Sequence, residues 1–294
     1  MFPSFLPAAV GQLTESESIA LAQTIQTQAI ATPLSHQPIT TAYVHQGNGG
    51  TPILLIHGFD SSALEFRRLL PLLGKENETW AVDLLGFGFT ERLAGIKFSP
   101  IAIRTHLYSF WKTLINQPVI LVGASMGGAA AIDFTLTYPE VVKKLVLIDS
   151  AGLRGGSPLT KFMFPPLDYL AAQFLRSPKV RDRVSRLAYK NPSLATIDAL
   201  YCGALHLEMP SWPEALIAFT KSGGYTAFRF KKLAEITPPT LILWGDSDKI
   251  LGTEDAKRFK RAIPHSQLIW IEDCGHIPHL EQPKITAQHI LDFC

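Results

Sequence analysis

Between residues 119 and 132 an apolar, β-branched run passes into a small-residue helical pattern through one tight stretch, Gly123-Ala124-Ser125-Met126-Gly127. Val119-Ile120-Leu121-Val122 reads as a buried strand and Ala129-Ala130-Ala131-Ile132 as the start of a helix. A strand that turns directly into a helix brings its two arms close together. Glycines at 123 and 127 remove the Cβ atoms that would collide there. Gly-x-Ser-x-Gly in this context is the spacing of a nucleophile elbow, which lifts a serine hydroxyl above the sheet edge. The turn also aims Ser125 at a helix start, whose free N–H groups favour developing negative charge.

The rest of the chain repeats the same alternation. Apolar runs at Ile39–His45, Ile53–Ile56, Trp80–Val82, Leu145–Ile148, Thr240–Trp244 and Gln267–Ile271 predict strands. Helical patterns occupy residues 62–74, 99–116, 126–138, 253–262 and 283–294. Another runs over 14–31, where Thr14 and Glu17 have capping-box spacing and Ile19, Ala22, Ile25 and Ala29 recur at helical intervals. Strand–helix alternation implies parallel pairing with right-handed crossovers. In such sheets reactive groups gather beyond the strands' C-terminal ends. His57, Asp83, Ser125 and Asp149 all stand at such ends. Gly86-x-Gly88 follows a strand, but position 91 is Glu91, so the dinucleotide fingerprint is incomplete and a tight loop is expected.

From about Leu153 to Glu235 the strand pattern stops and helical patterns replace it. Ser177-Pro178 opens one helix, with Val180, Val184 and Leu187 on one face and Lys179, Arg183, Arg186 and Lys190 on the other; Asn191-Pro192 ends it. The basic stripe reads as a solvated face, with attraction to anionic lipid or substrate as the functional alternative. The region is also rich in apolar bulk (Phe162, Met163, Phe164, Leu167, Tyr169, Phe174, Met209, Trp212), some to pack on the main domain and some to line an apolar pocket.

Of the 294 residues, 47% are hydrophobic, and the net charge is +2. That composition suits a large core and gives no reason to expect nucleic-acid binding. Cys202, Cys274 and Cys294 lack metal or disulfide-framework spacing, which suggests reduced thiols and a cytoplasmic protein. Met1-Phe2-Pro3-Ser4-Phe5-Leu6-Pro7 has no basic n-region and does not read as a signal peptide. Packing onto the domain is its expected use, with peripheral membrane contact left open.

Four separated motifs resemble, in order, those of the α/β-hydrolase superfamily: His57-Gly58, Gly123-Ala124-Ser125-Met126-Gly127, Trp244-Gly245-Asp246-Ser247-Asp248 and Gly275-His276. Asp83-x-x-Gly86-x-Gly88-x-Thr90 is similar to a further loop common in that family. The resemblance implies an α/β-hydrolase fold, a mostly parallel central sheet flanked by helices, with a helical cap inserted after the sixth strand. The corresponding division is an N-terminal helical extension (1–37), a first core part (38–152), a cap (153–235) and a second core part (236–294).

A serine hydroxyl needs a base, and the base needs a carboxylate to hold its tautomer. The order Ser125, Asp248, His276 matches nucleophile, acid and base in this superfamily. Asp246 and Asp149 remain alternatives for the acid, the latter because some members carry it there. His279 reads as a rim or packing residue. Phe59 and Met126, by position, offer the backbone N–H groups of an oxyanion hole. The expected activity is hydrolysis of an apolar, small to medium carboxylic ester through an acyl-enzyme, with no cofactor and no metal. Carbon–carbon bond hydrolysis, acyl transfer and a ligand receptor with a retained triad are the rival readings.

Overall fold

The computed structural model describes residues 1–154, 165–225 and 227–294. The apolar runs become strands of one eight-stranded sheet: β1 (Gln26–Ile30), β2 (Ile39–Gln46), β3 (Ile53–Ile56), β4 (Thr79–Val82), β5 (Val119–Ala124), β6 (Val142–Ile148), β7 (Thr240–Gly245) and β8 (Ser266–Ile271). Their order is β1-β2-β4-β3-β5-β6-β7-β8. The two pairings made by β2 are antiparallel, and those from β4 through β8 are parallel. β3 and β5 are buried along their whole length, as their uninterrupted apolar composition requires. Alternation sends Leu54, Ile56 and Leu121 to one face of the sheet and Leu55, Ile120 and Val122 to the other, where each set joins its own apolar layer.

The helices are α1 (Ser16–Gln23), α2 (Leu70–Leu73), α3 (Pro100–Leu114), α4 (Met126–Thr137), α5 (Leu167–Arg176), α6 (Pro178–Ala188), α7 (Ile197–Ala204), α8 (Trp212–Lys221), α9 (Phe230–Leu233), α10 (Glu254–Ala262), α11 (Pro278–Glu281) and α12 (Pro283–Phe293). Between β6, the sixth strand, and β7 the chain holds α5–α9, and no strand occurs there among the described residues. Phe162, Met163 and Phe164 lie outside the described residues.

Two expectations for the amino-terminal region fail. The helix read over 14–31 ends at Gln23, and Gln26–Ile30 is instead strand β1, paired antiparallel with β2. Ile25 and Ala29 fit helical spacing, but ladder bonds to a neighbouring strand outweigh a weak local preference. The Thr14–Glu17 capping box does not form either. Thr14 donates both its N–H and its hydroxyl to Asp198, at 3.0 and 2.7 Å. The pattern over 62–74 resolves into a 3₁₀ turn at Ala63–Phe66 and the short α2. Leu6, Val10 and Leu13 are buried against the second apolar layer, so this start of the chain packs on the domain. Among the described residues no helix is long and apolar enough to cross a membrane.

Candidate active site

Ser125 joins β5 to α4 with φ 52° and ψ −119°, a left-handed conformation costly for a residue with a side chain. Its neighbours explain how the turn closes. A Cβ on Gly123 would sit 2.3 Å from the Gly127 carbonyl oxygen, and one on Gly127 would sit 2.2 Å from that of Ile56. The Ser125 N–H donates to the Ile148 carbonyl at 2.9 Å and pins the turn to the end of β6.

His276 reaches Ser125 from the loop after β8. Its Nε2 lies 2.9 Å from Ser125 Oγ, and its Nδ1 lies 2.9 Å from Asp248 Oδ2. That loop is held from two sides. The His276 N–H donates to the Ala188 carbonyl at 2.7 Å, at the end of α6. The Glu281 carboxylate accepts from the N–H groups of Gly275, Lys190 and Asn191 at 2.7, 3.0 and 2.8 Å. Asp248 Oδ1 accepts from the Ile250 and Leu251 N–H groups at 2.7 and 3.1 Å. Burial alone would raise the Asp248 carboxyl, but the His276 hydrogen bond, its charge and these two N–H donors hold it below the ordinary carboxylate value.

His276 Nδ1 bonds neither of the alternative acids. Asp246 is occupied with its own loop, accepting from the Asp273 and Cys274 N–H groups at 3.1 and 3.3 Å. Asp149 sits at the end of β6 and accepts from the Gly245 N–H at 3.0 Å. It is near enough that one ligand atom each from Asp149, Asp248 and His276 lie within 4.8 Å of one another, a spacing a cation could also use. The Asp248 and His276 atoms in that trio are already engaged with each other. His279 is buried, with its ring centroid 5.5 Å from that of Phe66 and Nε2 3.1 Å from Glu65 Oε1. Asp83 is structural: its carboxylate accepts from the Ala63 and Phe89 N–H groups at 2.6 Å each.

Phe59, in the loop after β3, lines the same cavity as Ser125, and Met126 follows Ser125 as the first residue of α4. Met126 begins its helix, so its N–H has no helical acceptor. Two buried carboxylates set the Phe59 loop. Glu65 Oε2 accepts from the Gly58 N–H at 3.0 Å. Burial pushes Glu65 up, yet the hydrogen bond and charge of His279 outweigh it and bring the carboxyl down to about 2. Asp60 Oδ1 accepts from Trp212 Nε1 at 2.8 Å and faces His206 Nε2 at 3.1 Å, and Oδ2 pairs with Arg181. Burial drives His206 below the ordinary imidazole value, while burial of Asp60 is outweighed by the hydrogen bond and charge of His206 and the charge of Arg181, which hold its carboxyl low.

A model of the alpha/beta hydrolase family matches residues 53–289. Alpha/beta hydrolase domain-containing protein VTE7 of Arabidopsis thaliana is 35% identical, over 99% of this chain and 90% of that protein. The chain belongs to the alpha/beta hydrolase family. A 2-hydroxy-6-oxo-2,4-heptadienoate hydrolase of Pseudomonas putida is 28% identical over 85% of this chain and 91% of its own length. Among solved structures, a thermophilic esterase of Thermogutta terrifontis superposes with a TM-score of 0.77 at 26% identity, covering 91% of this chain and 97% of that one.

The hydrolase has a cavity of about 340 Å³ above Ser125 and His276, walled by Phe59, Val180, Val184 and Leu200 among others. Its outer wall comes from α6 and α7. Of the described apolar residues named from the sequence in this region, Trp212 and Met209 pack on the apolar layers, Leu167, Tyr169 and Phe174 are exposed, and none of the five lines this cavity. Sequence reasoning missed Asp60, Glu65, Arg181 and Glu281. Asp60 directly follows Phe59, and that adjacency was the one available signal.

Proposed function

We propose that this hydrolase cleaves carboxylic esters of apolar, small to medium size through an acyl-enzyme. The observation that carries the reading is the unbroken relay from Ser125 Oγ through His276 to a buried Asp248, opening on a largely apolar cavity. In this reading His276 Nε2 takes the Ser125 proton as Oγ attacks the ester carbonyl. Asp248 holds the Nδ1–H tautomer and stabilises the imidazolium. The negative oxygen of the tetrahedral intermediate is met by the Phe59 and Met126 N–H groups, each worth about 3 kcal/mol in such sites. His276 returns the proton to the departing alcohol, and water activated by the same base then releases the acid. Residues 153–235 act as the cap, with Val180, Val184 and Leu200 shaping the pocket for the apolar part of the substrate.

Carbon–carbon bond hydrolysis is the second reading, motivated by the 28% identical heptadienoate hydrolase. Hydrolysis of p-nitrophenyl esters of graded acyl length separates the two. Wild-type turnover with a defined chain-length optimum is expected, reduced about 10⁴-fold or more in Ser125→Ala. Activity that survives the substitution in contaminant-free protein overturns the mechanism. Inactivity on every ester, with turnover of a vinylogous diketone, moves the assignment to carbon–carbon cleavage.

A further inference from the structure

A second carboxyl lies behind the relay. Asp149 ends β6 with φ 40°, and its N–H continues the parallel ladder by donating to the Leu243 carbonyl at 3.0 Å. The side chain is fully buried. Oδ1 receives the Gly245 N–H. Oδ2 receives no N–H or O–H from any described residue, and a carboxyl oxygen of Asp149 lies within 4.8 Å of one of Asp248. Two oxygens that can only accept leave that contact repulsive unless a proton lies between them.

The titratable groups around Asp149 are Asp248, His276, Glu281 and the Cys274 thiol. Asp248 and Glu281 both act on Asp149 as negative charges, which disfavours a further one there. Of the two carboxyls, Asp248 holds three donors: the Ile250 and Leu251 N–H groups and His276. Asp149 holds one. A proton shared by such a pair settles on the member with fewer donors. Burial first, and the Asp248 charge next, push the Asp149 carboxyl well above the ordinary carboxylate range.

We propose that Asp149 is a neutral carboxylic acid whose O–H donates to Asp248, a positioning residue that occupies the fourth acceptor site of the Asp248 carboxylate and fixes its orientation toward His276. Asp149 touches no reacting atom and acts through Asp248 alone. The inference rests on the reading of Ser125, His276 and Asp248 as the working relay, but its protonation state can be measured without any substrate.

The test uses the full chain and two variants. Asn at 149 keeps both bonds, since its amide N–H donates to Asp248 and its oxygen accepts from Gly245. Ala keeps neither. In protein labelled with ¹³C at the aspartate carboxyl, one resonance absent from Asp149→Asn should hold the protonated shift from pH 6 to 8. The rate of Ser125 phosphonylation by a fluorophosphonate should fall about tenfold in Asp149→Ala and stay within about threefold of wild type in Asp149→Asn. The acid limb of that rate against pH should stay in place in Asp149→Asn, because no charge has been removed. An ionised ¹³C shift for Asp149 overturns the proposal. So does an acid limb displaced to lower pH by about one unit in Asp149→Asn, the sign expected when a negative charge beside His276 is lost. A wild-type Ser125 that does not react with the probe counts against the hydrolytic reading instead, and the ¹³C spectrum still decides the state of Asp149.

Discussion

Glu65 and Ser125 show how single side chains carry the strain of this site. Ser125 holds a left-handed backbone that nothing in its own chemistry favours, and the bond from its N–H to Ile148 is part of what keeps it there. Glu65 ties the Gly58 N–H to His279, three residues past His276. Its folded carboxyl lies at about 2 against an ordinary 4.5. A depressed value means that the ionised group stabilises the fold above about pH 4.5 and that this contribution disappears as pH falls toward 2. Glu65→Gln should therefore lower stability at pH 7, by up to about 3 kcal/mol, with the difference from wild type narrowing at pH 3. Urea midpoints at the two pH values check this, and an equal gap at both would contradict it. At this scale the sequence was legible where chemistry is local. Ser125 is marked by its own pentapeptide, and Asp248 and His276 each follow a strand within a recognisable loop. Asp60 and Arg181, 121 residues apart, carry no such mark, because nothing in either neighbourhood names the other.

The elements differ in how much room they leave. Gly203 lies in α7 with nothing within 4 Å of where a Cβ would stand, and it borders the cavity. Gly275 has the Ala188 carbonyl oxygen 2.2 Å from that position, a backbone atom that cannot swing aside. Gly203→Ala should raise stability by about 0.5–1 kcal/mol through reduced unfolded-state freedom, and narrow the pocket. Gly275→Ala should cost about 2 kcal/mol or more, since the His276 loop must move off α6. Thermal unfolding of the two variants beside wild type measures both signs. Periodicity identified α6 and its apolar face but could not say what that face meets. Val180 and Val184 line the cavity, Val184 while still half exposed, whereas Leu187 on the same face and Leu167 and Phe174 on α5 are exposed and do not line it. β1 was illegible for a related reason: its ladder partner lies in another segment, and alone it reads as more helix.

Across the whole molecule, the amino-terminal arm joins the insertion to the core. Asp198 of α7 accepts from Thr14 N–H and Oγ1 and from Glu15 N–H, the last at 2.9 Å. Glu15 in turn accepts from Thr196 Oγ1 at 2.6 Å and from Arg68 Nη2 at 3.1 Å. Asp198→Ala removes the acceptor of these partly exposed donors and should cost about 1 kcal/mol. Limited proteolysis should then cut ahead of α1 sooner than in wild type, and an unchanged cleavage pattern would count against the arm as a tie. The parallel sheet and the helical insertion were readable from alternation and its interruption. These ties were not, because they join segments far apart in the chain. The bonds between the end of α6 and the His276 loop bear on how such a chain can be recombined. Exchanging everything between β6 and β7 for a relative's segment would take away the Ala188 carbonyl and the Lys190 and Asn191 N–H groups that brace His276. The insertion is thus no interchangeable cartridge: residues 188–191 stay with the host, and grafts that redirect specificity belong on either side of them.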